Sequence, residues 1–242
     1  FLKRKTRERG RRRPVEKRKE KEEPEEASVA DATRQDRDSP TPQPQTRPAA
    51  PARRPKPRMP QLQSGVGYLI KERKPHFAYL FFSKCLTEGK PGMCICTGFP
   101  ERIKEKYDLY GSGFIWLTTI RDADQGYDPE RLDFEVSQEI YDFITRTRGY
   151  IILFDALDIL ISEHKEEKAV EFIRYLTDHA AMDGGILLVA ISPFTVSESV
   201  TGQLERFLEE VPLAQEREEL ERVIMNEIRT GREALPQGHV FL

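Results

Sequence analysis

Two aspartates stand where one of the most apolar runs of the chain ends. Asp155 closes the run that begins at Tyr150, and Asp158 follows it within the next turn. A run that is apolar almost throughout is typical of a strand covered on both faces of a parallel sheet. Ligands of parallel sheets usually bind at the edge where the strands end, so Asp155 could hold a magnesium ion. The alternative, which we favour, is that Asp155 caps the turn that leads to Leu157 and Leu160.

A second group of polar residues follows a different predicted strand. Thr118 ends the run that begins at Phe114, and Arg121 stands at the start of the polar loop that follows. If the two strands run in the same direction, Thr118 and Arg121 lie at the same edge of the sheet as Asp155 and Asp158. These four residues are the candidate ligand-binding residues, although a surface loop without a ligand is the interpretation we favour for the loop.

No motif that by itself carries a reaction occurs in the sequence. There is no Gly-x-Ser-x-Gly, no His-Glu-x-x-His and no paired-cysteine motif, and the four histidines are scattered. The residues therefore predict no catalytic group, no bound metal and no cofactor. A nucleotide-dependent enzyme with a divergent site is kept as an alternative function.

The cysteines indicate a reducing, intracellular setting. There are three, at positions 85, 94 and 96, which is too few for a disulfide framework and does not match the spacing of zinc ligands. Cys94 and Cys96 alternate along one predicted strand and point to the same face, where we expect them to be small core residues.

The apolar runs predict an α/β fold. Runs bounded by Gly or Pro alternate with segments of helical period, a pattern typical of a mostly parallel sheet of five or more strands. The predicted strands are Gly67 to Ile70, Met93 to Thr97, Phe114 to Thr118, Tyr150 to Asp155 and Ile186 to Ile191.

Apolar residues at helical spacing lie between and after these strands. Two of the predicted helices follow Pro75 and Pro129, and a short one begins at Pro100 and extends through Ile103. The others cover Ala169 to Ala180 before Gly184, Val200 to Val211, and Leu220 to Ile228. The last of them is highly charged and has a narrow apolar stripe. We expect it to pack on the domain, and a homodimer formed through this helix is the alternative.

The charges divide the chain into two regions of opposite sign. Residues 1–60 contain 19 Lys and Arg against 10 Asp and Glu, whereas residues 61–242 contain 20 against 31. The first region also has ten of the 17 prolines and only eleven apolar residues, too few to offset the chain entropy lost on folding. We predict a disordered basic and then proline-rich linker over 1–60, an α/β domain over 61–230 and a flexible tail over 231–242.

Several short segments, in a specific order, resemble a known family. They are Gly67 to Glu72, Gly92 to Thr97 with Pro100, Trp116 to Thr118, Ile151 to Leu160 and Leu188 to Pro193. Over residues 65 to about 210 the sequence resembles the archaeal domain-of-unknown-function family eight-three-five. The resemblance implies a domain found at the cytoplasmic end of membrane segments or beside signalling modules, with no established activity.

The layout also resembles the RecA-like core of circadian-clock-type ATPases. The resemblance matches Leu80 to Leu86 with the helix after a phosphate loop, and Ile151 to Asp155 with a Walker B strand. A phosphate loop requires glycine-rich backbone, a lysine and a Ser or Thr. The corresponding segment, Ile70 to His76, contains no glycine, and Pro75 removes one N–H donor. The resemblance therefore implies a three-layer RecA-like scaffold without a hydrolytic nucleotide site.

A block of basic residues follows the apolar pair Phe1-Leu2. Eleven cations and two anions lie between positions 3 and 19, which is typical of the cytoplasmic end of a membrane-spanning helix, here one that would precede Phe1. A solvated tail and a nonspecific nucleic-acid-binding arm are the alternatives. The cations are Lys3, Arg4, Lys5, Arg7, Arg9, Arg11, Arg12, Arg13, Lys17, Arg18 and Lys19.

Together these features predict a non-catalytic signalling or regulatory interaction domain, cytoplasmic and held at the inner face of the cell membrane. The expected partners are an anionic membrane surface, contacted by the basic residues, and an unidentified protein. The net charge of −11 over residues 61–242 argues against nucleic acid, because an electrostatic footprint should continue onto the domain.

If the basic residues act at a membrane, the full chain should bind anionic vesicles and be released as salt is added. Each cation near an anionic surface contributes about 1 kcal/mol, which salt screens. Vesicle co-sedimentation measures this binding, and neutral vesicles should retain almost none of the protein. Duplex DNA is the control, since a basic arm also binds phosphates. A preference for DNA over anionic vesicles at matched salt would favour the nucleic-acid alternative.

Overall fold

The computed structural model describes residues 60–120, 126–131, 135–213 and 217–234. The predicted linker up to residue 59, the candidate residue Arg121 and residues 235–242 lie outside the described residues. Over the described ranges, no helix is both long enough and apolar enough to cross a membrane.

In the described part of the chain, seven strands form one sheet in which all neighbours are parallel. They are β1 (Val66–Lys71), β2 (Gly92–Cys96), β3 (Gly113–Leu117), β4 (Gly126–Tyr127), β5 (Ile151–Asp155), β6 (Ile186–Ile191) and β7 (Glu209–Glu210). Their order across the sheet is β4-β3-β2-β5-β6-β1-β7. The five strands predicted from apolar runs are confirmed. The two further strands are two-residue edge strands, which no apolar run marks.

Helices cover both faces of the sheet, so the predicted three-layer α/β fold is confirmed. They are α1 (His76–Thr87), α2 (Pro100–Tyr107), α3 (Ser137–Arg146), α4 (Leu157–Glu163), α5 (Glu166–Asp183), α6 (Glu198–Leu204) and α7 (Arg217–Ala234). The apolar side chains of α1, α2 and α7 pack on one face, and those of α3, α4, α5 and α6 pack on the other.

The two most apolar strands, β5 and β6, are covered by both helical layers. Leu153 and Leu188 pack in the cluster that contains α1, while the next residues, Phe154 and Val189, pack in the cluster that contains α5. Each of these four side chains is fully buried. Because successive side chains point to opposite faces and both faces are dry, these strands need apolar residues at every position.

Helix boundaries follow the proline and glycine signals in several places. Pro100 is the first residue of α2, as predicted from its fixed backbone angle. Gly184 ends α5 with a φ of 69°, which glycine adopts without strain. The predicted helix after Pro129 is divided into a short 3-10 turn and α3, which begins at Ser137.

The prediction of a continuous helix from Val200 to Val211 was wrong after Leu204. α6 ends at Leu204, and the chain then turns so that β7 pairs with β1. The Val211 N–H donates to the Leu69 carbonyl at 3.0 Å. This pairing satisfies backbone groups on the open edge of β1, which a continued helix would have left without partners.

The charged C-terminal helix packs on α1. Leu220, Ile224 and Ile228 of α7 are buried in the same cluster as the apolar side chains of α1. Arg232 donates to the Ser83 hydroxyl and to the Asp108 carbonyl, so α7 is also held by polar contacts near its end. The helix continues to Ala234, four residues past the predicted domain boundary at 230.

Replacing the buried Ile224 by alanine should lower the free energy of unfolding by about 2–4 kcal/mol, because a buried isoleucine loses its contacts and leaves a cavity. Met225 is the matched control, since it is the next residue of α7 and is 50% exposed. Met225→Ala should change the free energy by less than about 1 kcal/mol. Urea unfolding of the two variants measures the difference, and equal effects would show that α7 does not pack on α1 in solution.

Candidate functional site

Four neighbouring strands of the sheet end at one pocket. The residues at or just beyond their ends are Glu72 (β1), Thr97 (β2), Asp155 (β5) and Ser192 (β6), and all four line a cavity of about 220 Å³. The other lining residues are Arg73, Pro75, Leu157, Asp158, Ala190, Ile191, Thr195 and Val196. The pocket therefore lies at the carboxyl edge of a parallel sheet, where ligands usually bind.

Glu72 holds the start of α1. It is 4% exposed, and its carboxylate oxygens accept hydrogen bonds from the N–H groups of Phe77, at 3.0 Å, and Ala78, at 2.9 Å. The first turn of a helix leaves such N–H groups without intrahelical partners, and a negative charge is favourable at this end of the helix dipole. Burial raises the pKa of Glu72, and the backbone hydrogen bonds oppose that rise.

Asp155 presents one of its two carboxylate oxygens to α1. Its Oδ2 accepts a hydrogen bond from the Tyr79 hydroxyl at 2.7 Å, whereas Oδ1 accepts none from a described residue. Burial raises the pKa of Asp155 to about 7; the nearby Asp158 and Glu72 also raise it, and the Tyr79 hydrogen bond acts against the rise. Asp155 is therefore an acid that titrates near neutral pH.

Asp155 does not cap the helix that follows it, so the interpretation we favoured from the sequence was wrong. The N-cap residue of α4 is Ala156, and the Ile159 N–H in the first turn donates to Oδ1 of Asp158, at 2.9 Å, and not to Asp155. The physical reason is that the Asp155 carboxyl group is turned towards α1, where Tyr79 supplies a donor.

A chain of side-chain contacts connects Asp155 to α7. Tyr79 stacks on Tyr107 of α2, with ring centroids 4.7 Å apart and planes 11° from parallel. The Tyr107 hydroxyl lies 3.3 Å from Nδ1 of His76, and Nε2 of the same ring lies 3.2 Å from the Glu221 carboxylate of α7. The pocket and the C-terminal helix thus share contacts through α1 and α2.

The structure brings together two of the four residues predicted from the sequence. Asp155 and Asp158 both line the pocket. Thr118 does not line it, and its N–H donates instead to the Tyr127 carbonyl of β4 at 3.0 Å. Arg121 lies outside the described residues.

Sequence reasoning missed Glu72, Ser192 and Thr195. Ser192 directly follows the apolar run of β6, the same positional signal that identified Asp155. Glu72 stands between a strand and a helix opened after Pro75, where an acidic residue favours the helix start. Neither of these sequence positions shows which of the polar residues near a strand end contributes its side chain to the pocket.

The pocket is rich in hydrogen-bond acceptors. Three carboxyl and three hydroxyl side chains line it: Glu72, Asp155, Asp158, Thr97, Ser192 and Thr195. Among the described residues, no group of three or more His, Cys, Asp or Glu side chains is placed to hold a metal ion. The volume of the pocket, about 220 Å³, is below the ~300–1,000 Å³ typical of small-molecule pockets. The arrangement suits a small group that donates hydrogen bonds.

The chain belongs to the family described as "Protein of unknown function (DUF835)", whose model matches residues 71–208. The resemblance of the sequence to domain-of-unknown-function family eight-three-five is thereby confirmed. Every lining residue of the pocket lies within the matched region. No curated protein matches the chain.

Asp155→Asn should stabilise the domain at pH 8 by roughly 2–4 kcal/mol and have little effect at pH 4. The Asp155 pKa is about 7 in the folded domain against an ordinary value of 3.8, so the folded state binds this proton more tightly than the unfolded state does. The stability that the folded state gains from binding this proton is fully present below pH 4 and is lost as the pH rises through 7. Asparagine cannot ionise, and it keeps an acceptor for Tyr79.

Urea unfolding at pH 4, 6 and 8 measures this effect. Asp178→Asn, at an exposed position of α5, is the control and should follow the pH profile of the unaltered protein. A difference between Asp155→Asn and the unaltered protein that does not grow with pH would contradict the raised pKa.

Proposed function

We propose that this member of the DUF835 family is a non-catalytic signalling or regulatory interaction domain that acts at the cytoplasmic face of a membrane. The observation that carries the proposal is the Glu72 carboxylate at the N-terminus of α1. In phosphate-loop proteins, backbone N–H groups at the start of the helix after the first strand bind the nucleotide phosphates. Here a side chain of the protein itself occupies that position.

Glu72 opposes phosphate binding in two ways. It takes up the N–H groups of Phe77 and Ala78, and its negative charge repels another anion at short range. Lys71, the lysine at the end of β1, forms ion pairs with Glu205 and Glu210. The region thus has neither free helix N–H groups of this kind nor an unpaired lysine from β1 to offer a nucleotide.

We also propose that the domain has a RecA-like scaffold, and the arrangement of the elements supports this. β1 is followed by α1, and β5 ends in Asp155 at the same edge of a parallel sheet. These are the positions that the sequence resemblance assigned to the phosphate-loop strand and helix and to the Walker B strand. The scaffold would then retain the layout of a nucleotide-binding domain. The Glu72 carboxylate would occupy the position at which such a domain binds a phosphate group.

The membrane part of the proposal is supported by the distribution of charge. Residues 61–242 contain 31 acidic against 20 basic side chains, so attraction to anionic lipid would have to come from residues 1–60. A domain of this charge needs a separate segment to bring it to a membrane, and the eleven cations between positions 3 and 19 would supply it.

The full chain should neither bind ATP with magnesium at micromolar concentration nor release phosphate from it, because Glu72 occupies the α1 N–H groups. Isothermal titration and a phosphate-release assay test this, in 0.3 M salt so that the basic residues do not hold ATP nonspecifically. Micromolar affinity that disappears in Asp155→Ala would establish a nucleotide site and overturn the proposal.

Glu72→Ala is the companion variant. It should lower the free energy of unfolding by about 1–3 kcal/mol, since two buried N–H groups lose their acceptor. Glu101→Gln, an exposed position in the first turn of α2, provides the control and should change stability by less than about 0.5 kcal/mol. Equal stability of Glu72→Ala and the control would contradict the role given to Glu72.

A further inference from the structure

We infer that the pocket between the ends of β1, β2, β5 and β6 receives one lysine side chain of a partner protein, while exposed aromatic side chains beside it contact the partner's neighbouring residues. The inference rests on the proposed function as an interaction domain, and it names the surface and the chemistry of the partner. The size of the pocket, its charge and its rim support it independently.

The volume of the pocket favours a side chain over a free ligand. A cavity of about 220 Å³ is smaller than the ~300–1,000 Å³ of pockets that enclose whole small molecules. The pocket is therefore too small to enclose a whole nucleotide, whereas it can enclose the end of a single long side chain. A partner that inserts one side chain needs additional contacts outside the pocket to bind with useful affinity.

The acceptors that line the pocket fit an ammonium group. Oδ1 of Asp155 has no hydrogen-bond partner among the described residues, and Asp158, Ser192 and Thr195 line the same cavity. A lysine ammonium is a compact charge with three donors, so it can reach a carboxylate and hydroxyl oxygens in different directions. A metal ion fits less well, since no metal-binding cluster occurs over the described ranges.

The cation already beside the pocket does not neutralise it. Arg73 lines the cavity, but it forms no ion pair with Asp155 or Asp158 among the described contacts. Its guanidinium carbon lies 5.8 Å from the centre of the Phe194 ring. The negative charge of the pocket is therefore available to a cation from outside, and Arg73 would compete weakly with it.

Exposed aromatic residues stand beside the pocket on the loops that build it. Phe194 is 79% exposed and stands two residues after Ser192, while Phe99 is 49% exposed and stands two residues after Thr97. Phe99 packs edge-on against Trp116, with ring centroids 5.5 Å apart, so its ring is held in place before any partner arrives. Aromatic residues around a buried polar contact are typical of the centres of protein interfaces.

The binding of lysine should depend on pH. The charged and titratable groups around Asp155 are Glu72, Asp158, Arg73 and Tyr79, together with the Cys94 and Cys96 thiols of the neighbouring strand β2. Because the pKa of Asp155 is about 7 and only its ionised form attracts an ammonium group, the fraction able to bind rises about tenfold between pH 6 and pH 8. An attached lysine would stabilise the carboxylate and release its proton.

The test is an NMR titration of the full, ¹⁵N-labelled chain with the blocked peptide acetyl-Gly-Leu-Lys-Leu-Gly-amide at pH 6 and pH 8. The amide signals of Thr97, Ser192 and Thr195 should shift, with about tenfold tighter binding at pH 8. The same peptide with Nε-acetyllysine is the control and should cause no shifts, because acetylation removes the positive charge and two of the three N–H donors.

Variants assign the effect to the pocket. Asp155→Asn and Asp158→Asn should each weaken binding at least fivefold at pH 8, and Arg73→Ala should strengthen it. Asp178→Asn, on the exposed side of α5, should leave it unchanged. Circular dichroism of each variant checks that the fold is retained, and Asp155→Asn keeps an acceptor for Tyr79.

Several results would overturn the inference. They are equal binding of the acetylated peptide, shifts that map away from the pocket, equal binding of an arginine peptide, and binding of free butylamine as tight as that of the peptide. A parallel titration with ATP and magnesium separates the two proposals. Binding of ATP in the pocket would refute the proposed function, whereas failure of both ATP and the lysine peptide would refute this inference alone.

Discussion

The contact between the Glu72 carboxylate and the first turn of α1 is the interaction on which the rest of this domain depends. Nine of the twelve residues of α1 are buried, so the helix cannot move without disturbing the core beneath it. Its start is fixed by two hydrogen bonds to a buried charge. Once α1 is in place, it aims Tyr79 at Asp155 and provides the surface on which α7 packs.

The same contact also decides what kind of chemistry the domain can do. A helix N-terminus at the edge of a parallel sheet would ordinarily attract an anion. In this protein the anion at the start of α1 is the carboxylate of Glu72. The neighbouring pocket is lined by three carboxyl groups and one arginine. These carboxyl groups make the electrostatic environment of the pocket less favourable for phosphates than for cations.

Asp155 is held at the bottom of this site at a cost to stability above neutral pH. Its raised pKa arises first from burial, and nothing in the fold of β5 requires an ionisable residue there, since the rest of the strand is apolar. Residues that lower stability in a pocket are characteristic of functional sites. A series of side-chain contacts also leads from Asp155 through Tyr79, Tyr107 and His76 to Glu221 of α7.

The sequence by itself determined the fold class and the strands of the central sheet, because residues buried on both faces must be apolar at every position, as in β5 and β6. It also located Asp155 and Asp158, since a strand that ends in a carboxylate identifies the edge of the sheet. The tertiary structure alone decided that Glu72 turns into the start of α1 and that Asp155 accepts from Tyr79 instead of capping α4. It likewise decided that the chain after Leu204 pairs with β1. Asp155 and β7 find partners far away in the sequence, a hydroxyl and an open strand edge. Glu72 bonds N–H groups only five and six residues away, but their position depends on how α1 packs on the sheet. Local pattern contains no information about either kind of arrangement.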